Sequence, residues 1–418
     1  MPGRPPANTL TVPDPTATTG LILMGGGARA AYQAGVLEGL AELLDQAGWP
    51  AGRNPFPVVC GTSAGAINAA AYAAGCDDWA EAIRRIAGLW RTVQPQDIYR
   101  VDLRGSLGNA AHWLGALLFG WLARTRPRSL FDNSPLRELL AQVIDTDRLG
   151  RCLDTGCLRA LAITASSYTS GQHVTWYETR AALSPWYRTQ RLSAPARIGI
   201  DHLLASSAIP FIFPAVPLPI DERHEFFGDG SMRQSAPISP AIHLGADRLV
   251  VIGAGRFETA ARQSGPTGSQ EHYPSLAQIA GHAMSSIFLD ALAVDIERLE
   301  RINRTLALLS REALQATTLR PVQALVISPS QRLDDIAGRH QARLPLPVRT
   351  LLRGVGVTGQ GREAQGATLA SYLLFEADYT RELMALGEAD AQAMREEVLR
   401  FFGWGSLSDQ DGTVVRAA

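Results

Sequence analysis

The sequence predicts an α/β fold in which a mainly parallel sheet is covered by helices on both faces. Short apolar runs alternate along the chain with longer stretches of helical periodicity, the pattern of strand-and-crossover units. Two of these runs end in glycine turns that pass straight into a helix. Apolar residues make up 46% of the 418 positions, enough for a large core and too many for wholesale disorder.

Residues 1–19 are rich in Pro, Thr and Ala, lack the apolar centre of a Sec signal, and read as a disordered tail. Gly20 to Met24 reads as a buried strand that stops at Gly25-Gly26-Gly27. Ala28 to Ala47 then carries Tyr32, Val36, Leu37, Leu40, Leu43 and Leu44 at helical spacing, with Gly48 as the C-terminal stop. A strand, a glycine loop and a helix in succession gather backbone N–H groups at a positive helix end, a ready site for negative charge. The run from Pro57 to Cys60 meets Gly61-Thr62-Ser63-Ala64-Gly65 and then an alanine-rich helix. Such a turn strains the serine backbone, requires neighbours without bulk, and leaves the hydroxyl clear at the helix N-terminus.

Asp77 to Trp90 reads as a helix with Trp79, Ile83, Ile86 and Trp90 on one stripe. Leu107 to Ala123 carries Trp113, Leu114, Leu117, Leu118 and Trp121, flanked by Arg104, Arg124, Arg126 and Arg128. It reads either as a helix buried in the core or as a lid or membrane-surface helix, and it is short for a membrane span. Asn133 to Val143 is a further helix opened by Pro135. Arg159–Ser166 and His173–Glu178 read as paired strands about a Ser170-Gly171 turn. Leu203 to Ala208 is a helix of small residues ended by Pro210, and Glu225 to Gly228 is a strand running into Asp229-Gly230-Ser231. Arg248–Ile252 and Ala324–Ser328 are later strands, a long helical stretch runs from about Leu276 to Leu309, and the chain after Pro347 is helical. The expected division is a tail over 1–19, a catalytic unit over 20–253, and a mostly helical region over 254–418 whose segment 324–328 adds a strand to the core sheet.

A net charge of −1 argues against a nucleic-acid surface. All 39 basic residues are arginine, so no lysine is at hand for Schiff-base or general-base chemistry. Cys60, Cys76, Cys152 and Cys157 lack C-x-x-C spacing, from which we expect a reducing compartment and no metal site. We expect a cytoplasmic protein without a cofactor; the absence of a Sec signal leaves signal-independent export open.

Ser63 is the candidate nucleophile. The amides of Gly25, Gly26 and Gly27 are candidate oxyanion donors, placed for the negative charge that acyl transfer builds on a carbonyl oxygen. Asp229 stands where a strand ends in a glycine turn, the place at which a sheet offers a side chain to a crevice. Two other readings stay open. Gly25-Gly26-Gly27 with Ala30 also fits a dinucleotide fingerprint, but the acidic residue at the required distance, Asp45, falls inside a helix. Ser63, Asp229 and His243 follow the order of an α/β-hydrolase triad. Against that, only one strand precedes the serine strand, and His243 falls in a helical segment.

These motifs together resemble the bacterial patatin-like phospholipases. The resemblance rests on Gly25-Gly26-Gly27-Ala28-Arg29, on Tyr32 to Leu37, on Gly61-Thr62-Ser63-Ala64-Gly65-Ala66, on Ala205 to Pro210 with Phe213-Pro214, and on Asp229-Gly230-Ser231. Pro237 to Ala241 and Leu244 to Asp247 add to it. It implies a three-layer α/β/α patatin-like fold with a helical C-terminal extension, acting on lipid esters and touching membranes only peripherally. It further implies a Ser–Asp dyad: Ser63 as nucleophile and Asp229 as general base, with Gly61, Gly65 and Gly230 supporting the two turns. Gly25, Gly26, Gly27 and Arg29 would form the oxyanion hole, Arg29 in the family's basic position. Ala30 departs from the usual glycine, and Ser231 from the usual Gly or Ala; its hydroxyl is expected to hydrogen-bond Asp229. Hydrolysis should fade on acidification as Asp229 protonates. The competing reading is a lipid- or partner-binding protein on the same scaffold without catalysis.

Overall fold

The first strand of the chain lies at the middle of the sheet, and that placement organises everything else. The computed structural model describes residues 17–100, 129–220, 222–255, 275–287, 291–354, 356–357, 366–404 and 414–416. In chain order the strands are β1 (Thr19–Leu23), β2 (Val58–Thr62), β3 (Ala160–Ser167), β4 (His173–Thr179), β5 (Tyr187–Arg188) and β6 (Arg191–Pro195). They continue as β7 (Val216–Ile220), β8 (Arg223–Asp229), β9 (Arg248–Ile252), β10 (Gln323–Ile327) and β11 (Val414–Arg416). All join one sheet in the order β11-β10-β9-β1-β2-β3-β4-β6-β5, with β8 on β3 and β7 on β8. The run from β11 through β3 is wholly parallel. Antiparallel pairing enters where β3 meets β4 and β8.

Parallel strands buried on both faces need apolar residues at every position, and β1 supplies them: Leu21 and Leu23 point to one core, Ile22 and Met24 to the other. The first core is roofed by α1 (Ala31–Gln46), α2 (Ala64–Ala73) and α3 (Trp79–Thr92). The second is covered by Ser239–His243 and by Leu292, Ile296 and Leu299 of the helix Ala291–Leu306. The result is the three-layer α/β/α architecture with a mainly parallel sheet. The helix Ala377–Ala393 packs so closely on α1 that their backbones touch. A Cβ on Gly35 would sit 1.9 Å from the Met384 carbonyl oxygen, and one on Gly387 would sit 2.3 Å from that of Tyr32.

Within the long helical stretch expected from about Leu276, the described helices are Leu276–Ser285 and Ala291–Leu306. The helix Thr146–Asp154 and the strands β5, β6 and β7 were not read from the sequence. The strands are short and largely exposed or half-exposed, so alternation gives them little signal, whereas the helix does carry a stripe of Leu149, Cys152 and Leu153 among its charged residues. Trp113, Leu114, Leu117, Leu118 and Trp121 lie outside the described residues. Among the described residues no helix is long and apolar enough to cross a membrane.

Candidate active site

β2 ends at Thr62, and the next residue, Ser63, takes φ +56° and ψ −132° before α2 begins. The left-handed φ is costly for a residue with a Cβ, so the surrounding backbone must hold it. Gly61 and Gly65 allow that closeness. A Cβ on Gly61 would meet Ala66 Cα at 2.5 Å, and one on Gly65 would meet the Leu23 carbonyl oxygen at 2.2 Å. The N-terminus of α2 therefore rests directly on the end of β1. Ser206, in the helix Ile200–Ser206, locks the turn from the other side: its Oγ accepts from the Ser63 amide at 2.9 Å and donates to the Thr164 carbonyl at 2.6 Å.

Sheet register brings Asp229 to the serine. β2 runs beside β3 as far as the Thr62–Thr164 pair and then leaves the sheet for α2. β8 takes the vacated place alongside β3, running the other way, and pairs Asp229 with Ala165. Residues 166 apart in sequence thereby meet, and Ser63 Oγ donates to Asp229 Oδ2 at 2.5 Å. Both side chains are buried, Ser63 at 1% exposure and Asp229 at 0%. The backbone around Asp229 is fully engaged, its amide bonded to the Ala208 carbonyl and the Gly230 amide to the Ser206 carbonyl. A Cβ on Gly230 would lie 2.0 Å from the Thr164 carbonyl oxygen, so the turn tolerates nothing larger.

Burial pushes the Asp229 carboxyl up from 3.8 to about 6, against the lowering effect of hydrogen bonds from Ser63 and Ser231. Ser231 acts through its amide, which donates to Oδ1 at 2.8 Å, and to a lesser degree through its hydroxyl, which also favours the ionised carboxyl. The hydroxyl contact is loose: among the described residues Ser231 Oγ meets no partner in full hydrogen-bond geometry.

The glycine loop follows β1 on the same edge of the sheet. The amides of Gly25, Gly26 and Gly27 make no hydrogen bond within the described residues, whereas the Ala28 amide donates to Tyr372 O and the Arg29 amide to Gly26 O. Gly27 takes φ +54°, and a Cβ there would lie 2.3 Å from the Tyr372 carbonyl oxygen. The entry to the loop is tied down by a buried chain: Trp90 Nε1 donates to Asn68 Oδ1, Asn68 Nδ2 to Gln33 Oε1, and Gln33 Nε2 to the Met24 carbonyl.

Arg29 departs from its expected oxyanion role. Besides the engaged amide, its buried guanidinium donates to Ser371 Oγ at 2.7 Å and to Asp334 Oδ1 at 2.5 Å and stacks over the Tyr372 ring at 4.2 Å. It anchors the loop to the C-terminal region instead. His243 is also displaced from the triad reading, because it stacks on Trp186 with ring centroids 4.7 Å apart. His173, which sequence reasoning left unassigned, comes nearer: buried, it is pushed down to about 4, so the neutral ring donates Nε2–H to the Gly230 carbonyl at 2.9 Å. Neither His173 nor Ser206 could be found from sequence spacing, although Ser206 lay inside a motif already singled out.

A narrow apolar cavity of about 40 Å³ opens on Ser63 and Gly27 and is lined by Ile67, Trp90, Val93, Leu136, Leu139, Leu140, Ile209, Phe213 and Phe375. A wider, polar depression lined by Arg151, Asp154, Glu178, Arg180 and Arg197 contains neither member of the Ser63–Asp229 pair. The cysteine spacing predicted no metal set, yet the fold gathers Cys76, Cys152 and Cys157 with their sulfurs within 4.8 Å of one another. Cys60 stays apart, on β2 itself, where it joins the second core.

The patatin-like phospholipase family profile matches residues 21–242. No curated protein matches the chain by sequence. Among solved structures, VipD from Legionella pneumophila is similar at 11% identity and a TM-score of 0.34, over 96% of this chain and 72% of that one. Human GIVD cytosolic phospholipase A2, in complex with methyl gamma-linolenyl fluorophosphonate, is similar at 13% identity and a TM-score of 0.40. That match spans 92% of this chain and 59% of the human chain.

Proposed function

The chain belongs to the patatin-like phospholipase family, whose chemistry is lipid hydrolysis, and on that premise we propose that it is a serine acyl hydrolase working through a Ser63–Asp229 dyad. The observation that carries this reading is the buried hydrogen bond of 2.5 Å from Ser63 Oγ to Asp229 Oδ2. Ser63 Oγ attacks the ester carbonyl carbon while its proton passes to Asp229. The oxyanion is held by the amides of Gly25, Gly26 and Gly27, which have no competing acceptor among the described residues; losing one such donor typically costs about 10²–10³ in rate. Collapse expels the alcohol, which takes the proton back from Asp229. Water then attacks the acyl-enzyme, again giving its proton to Asp229, and the carboxylic acid leaves as Ser63 is restored.

The substrate class follows from the walls. An apolar cavity that opens on Ser63 suits a fatty-acyl chain and offers nothing to a charged acyl group. The test is hydrolysis of a p-nitrophenyl acyl ester together with labelling by a fluorophosphonate probe. Ser63→Ala should lose both; Asp229→Asn should lose turnover by at least about 10³-fold. Full activity in Ser63→Ala, or a histidine variant as inactive as Ser63→Ala, would overturn the dyad.

A further inference from the structure

Three thiols, Cys76 from one part of the chain and the neighbouring pair Cys152 and Cys157 from another, meet at the end of α2 opposite Ser63. Cys76 lies in the single turn of 3₁₀ helix that follows α2, Cys152 in the helix Thr146–Asp154, and Cys157 in the segment leading into β3. Cys76 Sγ and Cys157 Sγ are 3.6 Å apart, and all three sulfurs lie within 4.8 Å of one another. The Asp77 carboxylate stands beside the group, its Oδ1 accepting from Cys152 Sγ at 3.6 Å.

Three sulfurs this close suit a tetrahedral cation. Zinc–sulfur bonds of about 2.3 Å set the sulfurs roughly 3.8 Å apart, and the fourth position is left to a solvent oxygen. The surroundings suit the same occupant. Arg148 donates to both Asp77 oxygens, at 3.0 and 3.3 Å, and so holds the carboxylate beside Cys152 Sγ as an outer partner of the cluster. Thr155 Oγ1 donates to Cys157 Sγ at 3.5 Å. Cys76 and Cys152 are buried, while Cys157 is half-exposed and leaves a way in.

We propose that Cys76, Cys152 and Cys157, with a water oxygen in the fourth position and Asp77 as an outer partner of Cys152, form a Zn²⁺ site remote from the dyad. Each thiol gives up its proton to solvent on binding, so the cation is held by three thiolates and one water. Its occupancy ties the turn after α2 to the lead-in of β3 and stiffens the frame behind the nucleophile. The site is independent of the reading of Ser63 and Asp229.

The full-length protein, reduced and stripped of metal with a chelator, is titrated with Co²⁺ and then Zn²⁺. One equivalent of Co²⁺ should give a thiolate-to-cobalt charge-transfer band with the intensity of three thiolates and the visible bands of a tetrahedral ion. One equivalent of Zn²⁺ should abolish both. Cys152→Ser and Cys157→Ser should weaken Zn²⁺ binding at least about tenfold, Asp77→Asn about tenfold, and Cys60→Ala not at all. The wild-type titration decides the matter even if a variant misfolds. A six-coordinate cobalt spectrum without charge transfer, or full Zn²⁺ affinity in both serine variants, overturns the site. So does recovery of a Cys76–Cys157 disulfide from protein kept in thiol reductant, which would make the close pair a redox couple.

Discussion

Burial raises the Asp229 carboxyl to about 6, and that carries a sign for both activity and stability. As the proposed base it must be ionised, so kcat/KM should fall as the pH drops through about 6. For folding, a carboxyl raised above its unfolded value favours the native state most below about pH 4. That contribution is lost as the pH rises through about 6. Above it, the native state holds a buried carboxylate at a cost of about 3 kcal/mol, the equivalent of raising the group from 3.8 to about 6. Asp229→Asn should therefore be inactive yet more stable than the parent at about pH 8, with the difference closing towards about pH 5. Urea unfolding at both pH values measures it; equal stability at both would mean that the carboxylate is ionised without penalty. The two members of the pair differed in how readable they were. Ser63 announces itself through two glycines at fixed offsets, because a left-handed turn between a strand and a helix demands them. Asp229-Gly230 looks like any turn, and its meaning comes only from what lies across the sheet.

The glycine loop shows how one element depends on another. Among the described residues the amides of Gly25, Gly26 and Gly27 have no acceptor, while Tyr372 O occupies the Ala28 amide and the Arg29 guanidinium is locked onto Ser371 and Asp334. Arg29→Ala removes one side of a buried ion pair, which should destabilise the fold by roughly 3 kcal/mol. It should lower kcat more than it raises KM, since the loop loses its anchor rather than its contacts with substrate. Urea unfolding and steady-state kinetics read the two effects, and unchanged values of both would sink the anchoring role. The cavity is likewise built by elements remote in sequence, α3 and the helix Ser134–Val143 among them. Leu139→Trp should shorten it, lowering kcat/KM for a long-chain ester about tenfold or more while sparing a butyrate ester. Equal loss on both chain lengths would count against an acyl-chain cavity. From sequence, the apolar stripes of these helices were visible, but a stripe that faces a core and one that lines a cavity have the same periodicity.

At the scale of the whole molecule, the residues proposed for catalysis all lie before position 230, yet the frame that holds them does not. β10 covers the edge of β9, the helix Ala377–Ala393 buries α1, and the segment Ala367–Phe375 supports the glycine loop and the cavity wall. A fragment ending at residue 253 would expose the apolar face of α1 and leave β9 as an unpaired edge. We expect that fragment to be insoluble or to lack cooperative unfolding by circular dichroism. A soluble, cooperatively folded and esterolytic fragment would make the later region an accessory.

The sequence by itself determined the layered α/β architecture, the serine turn, the glycine loop and the strand that ends at Asp229. Each depends on local rules: apolar runs bury, glycines permit close or left-handed backbone, and helices begin where a strand turns. Only the tertiary structure decided that β8 fills the place β2 leaves and so carries Asp229 to Ser63. It alone turned Arg29 from the oxyanion hole to the C-terminal region and brought Cys76 to the neighbouring pair Cys152 and Cys157. These are contacts between residues tens to hundreds of positions apart, and no periodicity or spacing records which strand lies beside which.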